Sequence, residues 1–230
     1  MKITHLLSLC LLSFAVLAAD EKEPKVINPG NSSTPPSDAI VLFNGKDLSH
    51  WKTEQGGEPK WKVGNGYMEV AKGTGNILSK EEFGDMQLHV EFAEPSPAHG
   101  TGQDRGNSGV YLEGRYEVQV LDCYNNKTYF NGQTGAIYGI AAPLVNACRP
   151  PGEWQTYDIV FHPPKQGADG KVQSGSITVL HNGILIQYHT ELKGEATRAA
   201  NFNGVAAQGP LILQDHGHPV RYRNIWVRHL

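Results

Sequence analysis

From residue 39 onward, apolar and polar residues alternate with a period of two, in short runs divided by glycine-rich turns. Ala39–Phe43 leads into an Asn44-Gly45-Lys46-Asp47 turn, and Trp61–Val63 and Tyr67–Val70 flank Gly64-Asn65-Gly66, which predicts a hairpin. The alternation continues through Ile77–Ser79, Met86–Phe92, Gly109–Glu113 and Tyr116–Leu121, the last two joined across Gly114-Arg115. Further strands are expected at Trp154–Phe161, at Ser176–Leu180 and Ile184–Tyr188 around a His181-Asn182-Gly183 turn, at Pro210–Gln214 and at Val220–Arg228. No stretch carries a long 3.6-residue apolar period, so the expected class is all-β: a sandwich, jelly roll or barrel.

One segment interrupts this rhythm. Glu94–Gly106 is long and holds Pro95, Pro97, Gly100, Gly102 and Gly106. It reads either as a surface connection or as a loop over a ligand site, since long loops on rigid sandwiches often carry recognition.

The N-terminus is of another kind. Met1-Lys2, the apolar run Leu6–Leu17 and the small residues Ala18-Ala19 form the pattern of a secretory signal peptide over residues 1–19, too short for a permanent span. Residues 20–38 are rich in proline, serine and asparagine and read as a tether. Residues 39–230, about 190 residues, suit one domain with a full core, in an exported protein of the periplasm or the exterior. Twenty basic residues against 23 acidic ones, a net charge of −3, give no support to a nucleic-acid partner. Cys123 and Cys148 remain once the leader is gone, and composition leaves open whether they are bridged or free.

Polar residues in the middle of strands are the informative feature. In Tyr116–Asp122, Glu117 and Gln119 share one face and Val118 and Val120 the other. Next to it, Asn107, Gly109, Tyr111 and Glu113 oppose Val110 and Leu112. Two adjacent strands thus present carboxylate, amide and aromatic groups on one side, the chemistry that suits sugar hydroxyls and C–H faces. A wetted outer face would give the same alternation. The C-terminal run adds Gln214, Asp215 and His216, a Gly217–Pro219 turn, and then Arg221, Arg223 and Asn224 on an expected returning strand. His216 is suited to proton exchange and an arginine to holding an oxyanion, while pairing of Asp215 with either arginine would be a structural clamp. No nucleophile elbow, Walker loop or zinc spacing occurs, but a divalent cation such as calcium needs no fixed motif on a sandwich.

Val41–Trp51, Asn107–Leu112, Tyr116–Asp122, Gly135–Tyr138, Gly152–Ile159, His181–Gly183, Leu213–Gly217 and Arg223–Ile225, in this order, resemble the 3-keto-disaccharide hydrolase family over nearly all of residues 39–230. The resemblance implies a concanavalin-A-like jelly roll of two antiparallel sheets, acting on glycosides already oxidised at C3. A ketone at C3 acidifies the C2 proton, so a base there permits elimination of the aglycone, and hydration of the enone completes net hydrolysis. In that reading Glu117 or His216 is the base, and Arg223 or Arg221 steadies the enolate. Asn107, Tyr111, Gln119 and Gln214 bind substrate, and Asp122 orients the histidine or holds a cation. The rival readings are a non-catalytic sugar-binding module and a structural surface domain, because the same fold serves all three.

Overall fold

The computed structural model describes residues 23–31 and 34–230; the apolar leader expected over residues 1–19 lies outside them. The strands, in chain order, are β1 (Ile40–Phe43), β2 (Trp51–Thr53), β3 (Lys62–Gly64), β4 (Tyr67–Glu69), β5 (Ile77–Phe83), β6 (Met86–Ala93), β7 (Ser108–Leu112), β8 (Tyr116–Val120) and β9 (Gln155–His162). They continue with β10 (Lys165–Gln166), β11 (Val172–Gln173), β12 (Gly175–His181), β13 (Ile184–Leu192), β14 (Gly209–Leu213) and β15 (Arg221–His229). All pairings are antiparallel. The larger sheet runs β13-β12-β9-β6-β15-β4-β3 with β1 also on β15, and the smaller runs β2-β5-β14-β7-β8. The result is an all-β sandwich of the class expected from the alternation, with the two antiparallel sheets of the jelly roll that the family resemblance implies.

The period of two explains the core. Leu88, Val90, Phe92, Ile159, Phe161, Ile225 and Val227 of the larger sheet meet Val110, Leu112, Val118, Val120, Leu211 and Leu213 of the smaller, all fully buried. Each such side chain contributes about 1.5–3 kcal/mol relative to exposure. Both hairpins read from glycine signals form as expected: Asn65 and Gly66 have φ of 52° and 79°, and Asn182 and Gly183 have 53° and 79°. Buried polar ties cross between the sheets. Tyr222 Oη on β15 donates to Ser108 Oγ at 2.7 Å, and Tyr157 Oη on β9 donates to Gln119 O at 2.6 Å.

Two expectations are corrected. The run from Gln214 to Arg221 is not a hairpin: β14 lies in the smaller sheet and β15 in the larger, so Gly217–Pro219 is a crossover between layers. The polar face of β7 and β8 is also not wetted, for every residue of both strands is buried. The chain covers it with two excursions. Residues 135–138 bond to the free edge of β8, through Gln119 N to Ala136 O (3.0 Å) and Tyr138 N to Glu117 O (3.1 Å), and Thr197 N bonds to Arg115 O at 2.9 Å. Covering an edge strand in this way satisfies its backbone groups. At the tether's end Arg228 grips the Asp38 carboxylate through Nε and Nη2, both at 2.9 Å.

Candidate functional site

The covered face of the smaller sheet holds a cavity of about 120 Å³, lined by Gln103, Asn107, Glu117, Gln119, Tyr129, Tyr138, Ala199, Gln214 and His216. Five of the residues singled out from sequence meet there: Asn107, Glu117, Gln119, Gln214 and His216. The pairing of β7 with β8, in which Gly109 faces Gln119 and Tyr111 faces Glu117, brings the polar positions of both strands to one side. β14 on the other flank of β7 adds Gln214. Tyr111 lies beneath, where its hydroxyl bonds to the Glu117 carboxyl and accepts from Gln214 Nε2 at 2.9 Å.

Glu117 is only 2% exposed. Burial pushes its carboxyl up to about 8 against the bond from Tyr111, and no lysine or arginine among the described residues offsets it. Gly109 makes room for it, since a Cβ there would stand 2.5 Å from Glu117 Oε1 and 2.9 Å from the Tyr111 ring. Glu117 Oε2, Gln119 Oε1 and Gln214 Oε1 are all buried without a donor among the described residues. The two amides are held that way round. Gln119 Nε2 donates to Gln103 Oε1 (3.0 Å) and to Gly132 O (3.4 Å), and Gln214 Nε2 is taken by Tyr111. A cluster of donor-starved oxygens around a small opening is a site for hydroxyl groups.

The long segment after β6 proves to be part of this site. Gln103 Nε2 donates to Thr128 Oγ1 and Gly132 O, both at 2.8 Å, and Gln103 O accepts from Asn107 Nδ2 at 2.8 Å. Tyr129 and Ala199 carried no signal in the sequence, while Gln103 lay in the long loop and Tyr138 in a segment of the family resemblance, neither singled out as a site residue. The phenols of Tyr129 and Tyr138 meet at 2.5 Å, and Gly132 lies flat against the Tyr129 ring, where a Cβ would reach 2.0 Å from Cε2. His216 stands exposed at the mouth with its ring stacked on His218, centroids 5.9 Å apart. His218 Nε2 is 3.2 Å from Asp104 Oδ1.

Arg221, Arg223 and Asp122 do not join this group. Because β15 belongs to the larger sheet and Tyr222 points inward, Arg221 and Arg223 face outward on the opposite side of the sandwich. There Arg223 Nε bonds to Glu91 Oε2 at 2.6 Å and its guanidinium lies 4.0 Å over the Trp154 ring. Glu91 Oε1 accepts from Asn224 Nδ2 at 2.8 Å, and His89 pairs with Asp158 at 2.7 Å. Burial opposes the charge on both His89 and Glu91. Even so, the bonds from Asp158 and Glu91 raise His89 to about 9, and those from His89, Asn224 and Arg223 lower Glu91 to about 2. Arg221 bonds to Gly152 O at 3.3 Å. The Asp122 carboxylate neither reaches His216 nor lies open to a cation: it accepts from Arg105 Nε at 2.7 Å and Tyr124 N at 3.0 Å. Asp215 is clamped by backbone, not by arginine, accepting from Gly75 N (3.0 Å) and Gly217 N (2.9 Å). Among the described residues no group of three or more His, Cys, Asp and Glu side chains converges to hold a metal ion, and no helix is long and apolar enough to cross a membrane.

The fold is an all-β sandwich whose smaller sheet buries a carboxyl oxygen and two amide oxygens without donors among the described residues, a set of acceptors chemically suited to hydroxyl groups. The chain belongs to the 3-keto-α-glucoside-1,2-lyase-like domain family, whose model matches residues 38–228. It is similar to a crystal structure of a candidate glycosyl hydrolase from Parabacteroides distasonis, with 47% identity, 91% of this chain and 93% of that one covered, and a TM-score of 0.86. Two further candidate glycosyl hydrolases from the same organism share the fold. One has 22% identity, a TM-score of 0.62, and 84% of this chain and 94% of that one covered. The other has 23% identity, a TM-score of 0.59, and 84% and 99% covered. No curated protein matches the chain.

Proposed function

We propose that this protein cleaves 3-keto-glycosides at the Glu117 pocket, by removal of the C2 proton, elimination of the aglycone and hydration of the resulting enone. The observation that carries the reading is Glu117: a buried carboxyl raised to about 8, with Oε2 lacking a donor among the described residues, at a cavity lined by amides and phenols. A carboxylate made strongly basic by burial suits abstraction of a proton acidified by a neighbouring ketone. Gln119 Oε1 and Gln214 Oε1 then accept sugar hydroxyls.

With both arginines on the far side, the enolate oxygen is held by neutral donors. The Tyr129–Tyr138 pair has two hydroxyl protons and only one phenol–phenol contact, so one proton is left to point at substrate. The Asn107 amide, which spends one N–H on Gln103 O, has a second to give. His216, at the mouth, exchanges the proton with the departing aglycone oxygen and later with water. This chemistry differs from ordinary glycoside hydrolysis, which sets two carboxylates about the bond.

The test is to incubate the protein with 3-keto-glucosides and with their unoxidised parents, following reducing sugar and the ultraviolet band of an enone. Turnover of the keto substrates alone is expected, abolished in Glu117→Gln. Activity on the parents only would overturn the elimination, and tight binding with no turnover of either would make the pocket that of a sugar-binding module.

A further inference from the structure

Cys123 follows β8 directly and is buried, with its Sγ accepting from Thr134 N at 3.2 Å. Cys148 lies beside it, half-buried, with its thiol hydrogen-bonded to the Cys123 sulfur; both are thiols. One side chain fixes the two backbones together: Asn146 Nδ2 donates to Cys123 O at 3.0 Å, and Asn146 Oδ1 accepts from Cys148 N at 3.0 Å. Between the cysteines runs the excursion 124–147, which carries Tyr129 and Tyr138 to the pocket. Thr134, bonded to Leu121 O as well as to the sulfur, anchors its middle. The two sulfurs therefore sit at the neck of the loop that forms the pocket wall.

We propose that Cys123 and Cys148 are a disulfide-forming pair whose oxidation fastens the pocket-bearing excursion 124–147. The inference stands apart from the sugar chemistry, and the expected export to an oxidising compartment supplies its setting. The oxidant is a disulfide, either oxidised glutathione or a thiol–disulfide oxidase. Cys148, the less buried residue of the pair, exchanges with it first: its thiol gives up its proton, a Cys148–S bond forms, the reagent's S–S bond breaks and one thiolate leaves. Cys123 then attacks Cys148 Sγ and expels the second thiolate, so two protein thiols lose two electrons and two protons while one reagent disulfide becomes two thiols.

The experiment equilibrates the folded chain with oxidised and reduced glutathione, then alkylates under denaturing conditions and maps peptides. In the oxidised sample, neither Cys123 nor Cys148 is expected to take iodoacetamide, and a 123–148 cross-linked peptide about 2 Da lighter than its reduced parts appears. Tm rises by roughly 5–10 °C over the dithiothreitol-treated protein, as closing a loop of this length predicts. Amide exchange across 124–147 slows about tenfold or more. Cys148→Ser, which cannot bridge, exchanges at the reduced rate in either buffer. Full alkylation of both cysteines after equilibration would overturn the pairing, and this needs no folded variant. A cross-link that leaves exchange across 124–147 unchanged would overturn the fastening. None of these readouts uses a sugar, so they stand or fall separately from the proposed activity.

Discussion

Replacing Glu117 with glutamine removes the proposed base, and it is expected to make the protein more stable by an amount that grows with pH. The buried carboxyl is raised to about 8 from its ordinary value of 4.5. Between these two values the folded state keeps its proton and the unfolded state loses it. A raised pKa of this kind leaves stability intact below about 4.5 and takes it away as pH climbs through 8. At about 1.36 kcal/mol per unit, the wild type gives up roughly 1 kcal/mol at pH 5, roughly 3 at pH 7 and roughly 4 at pH 8, with little more above pH 9. Solvent entering at the His216 mouth screens part of this, so a gain of about 2–3 kcal/mol at pH 8 is the working figure. Glutamine is isosteric and neutral, and its carbonyl still accepts from Tyr111, so it escapes the whole penalty. At about 2–4 °C per kcal/mol, the Tm of Glu117→Gln should exceed that of the wild type by roughly 4–12 °C at pH 8 and by about 3 °C or less at pH 5. Glu94 and Glu113 are also raised by burial, to about 8 and about 7, and tilt the stability of both proteins equally, so the difference isolates Glu117. Calorimetry at matched pH values checks it. A difference that is flat from pH 5 to 9, or a variant less stable at pH 8, would refute the claim that Glu117 is a carboxyl held neutral by burial.

The same carboxyl should govern turnover: kcat/KM on a 3-keto-glucoside is expected to rise about tenfold per pH unit below 8 and level off above it, read from a pH–rate profile. Gly109→Ala places a methyl 2.5 Å from Glu117 Oε1, so activity should fall by about a hundredfold with the far-UV circular dichroism unchanged. Arg223→Ala should spare turnover within about twofold and lower stability by about 1–3 kcal/mol in urea titration, because it strands the largely buried Glu91 carboxylate. The stability that Glu91 draws from its lowered pKa is present above about 4.5 and is lost as pH falls through about 2, so the Arg223→Ala deficit should shrink in acid.

Which parts of this molecule are legible in residue order follows from how local each feature is. Alternation over a few residues decides the face of each strand, and the glycine-marked hairpins decide which strands pair. Residue order alone therefore groups Glu117, Gln119 and Asn107, and the placement of β14 beside β7 adds Gln214. The crossover from β14 to β15 is not legible in the same way. Gly217–Pro219 has the same turn chemistry whether the chain folds back within one sheet or passes to the facing one. The outcome is set by distant packing, with Tyr222, Ile225 and Val227 buried against the core. That single crossover puts both arginines on the far side of the sandwich. Alternation says nothing of Tyr129 and Tyr138, the second marked only by the family resemblance, for another reason: they stand in an irregular excursion, where neither period applies and position depends on hydrogen bonds such as those from Gln103 to Thr128 and Gly132.

The sandwich carries two polar clusters in mid-strand, and what separates them is satisfaction, not composition. On the larger sheet Glu91 is bonded by Arg223 and Asn224, and His89 by Asp158, with Trp154 stacked on Arg223 and Trp226 on His89. Charges there are matched, Glu91 is held low and His89 high, and the arrangement stabilises the charged forms it contains. In the pocket of the smaller sheet the acid is held neutral, and three of its lining oxygens are buried without donors among the described residues. Each such oxygen costs the folded state on the order of 1–3 kcal/mol. The chain could have filled these positions with apolar side chains, as it does on the inner face of the same two strands at Val110, Val118 and Val120. On the function proposed above, a fold that keeps a costly, donor-starved pocket on one sheet while matching every charge of the cluster on the other keeps that pocket for a ligand that brings the donors.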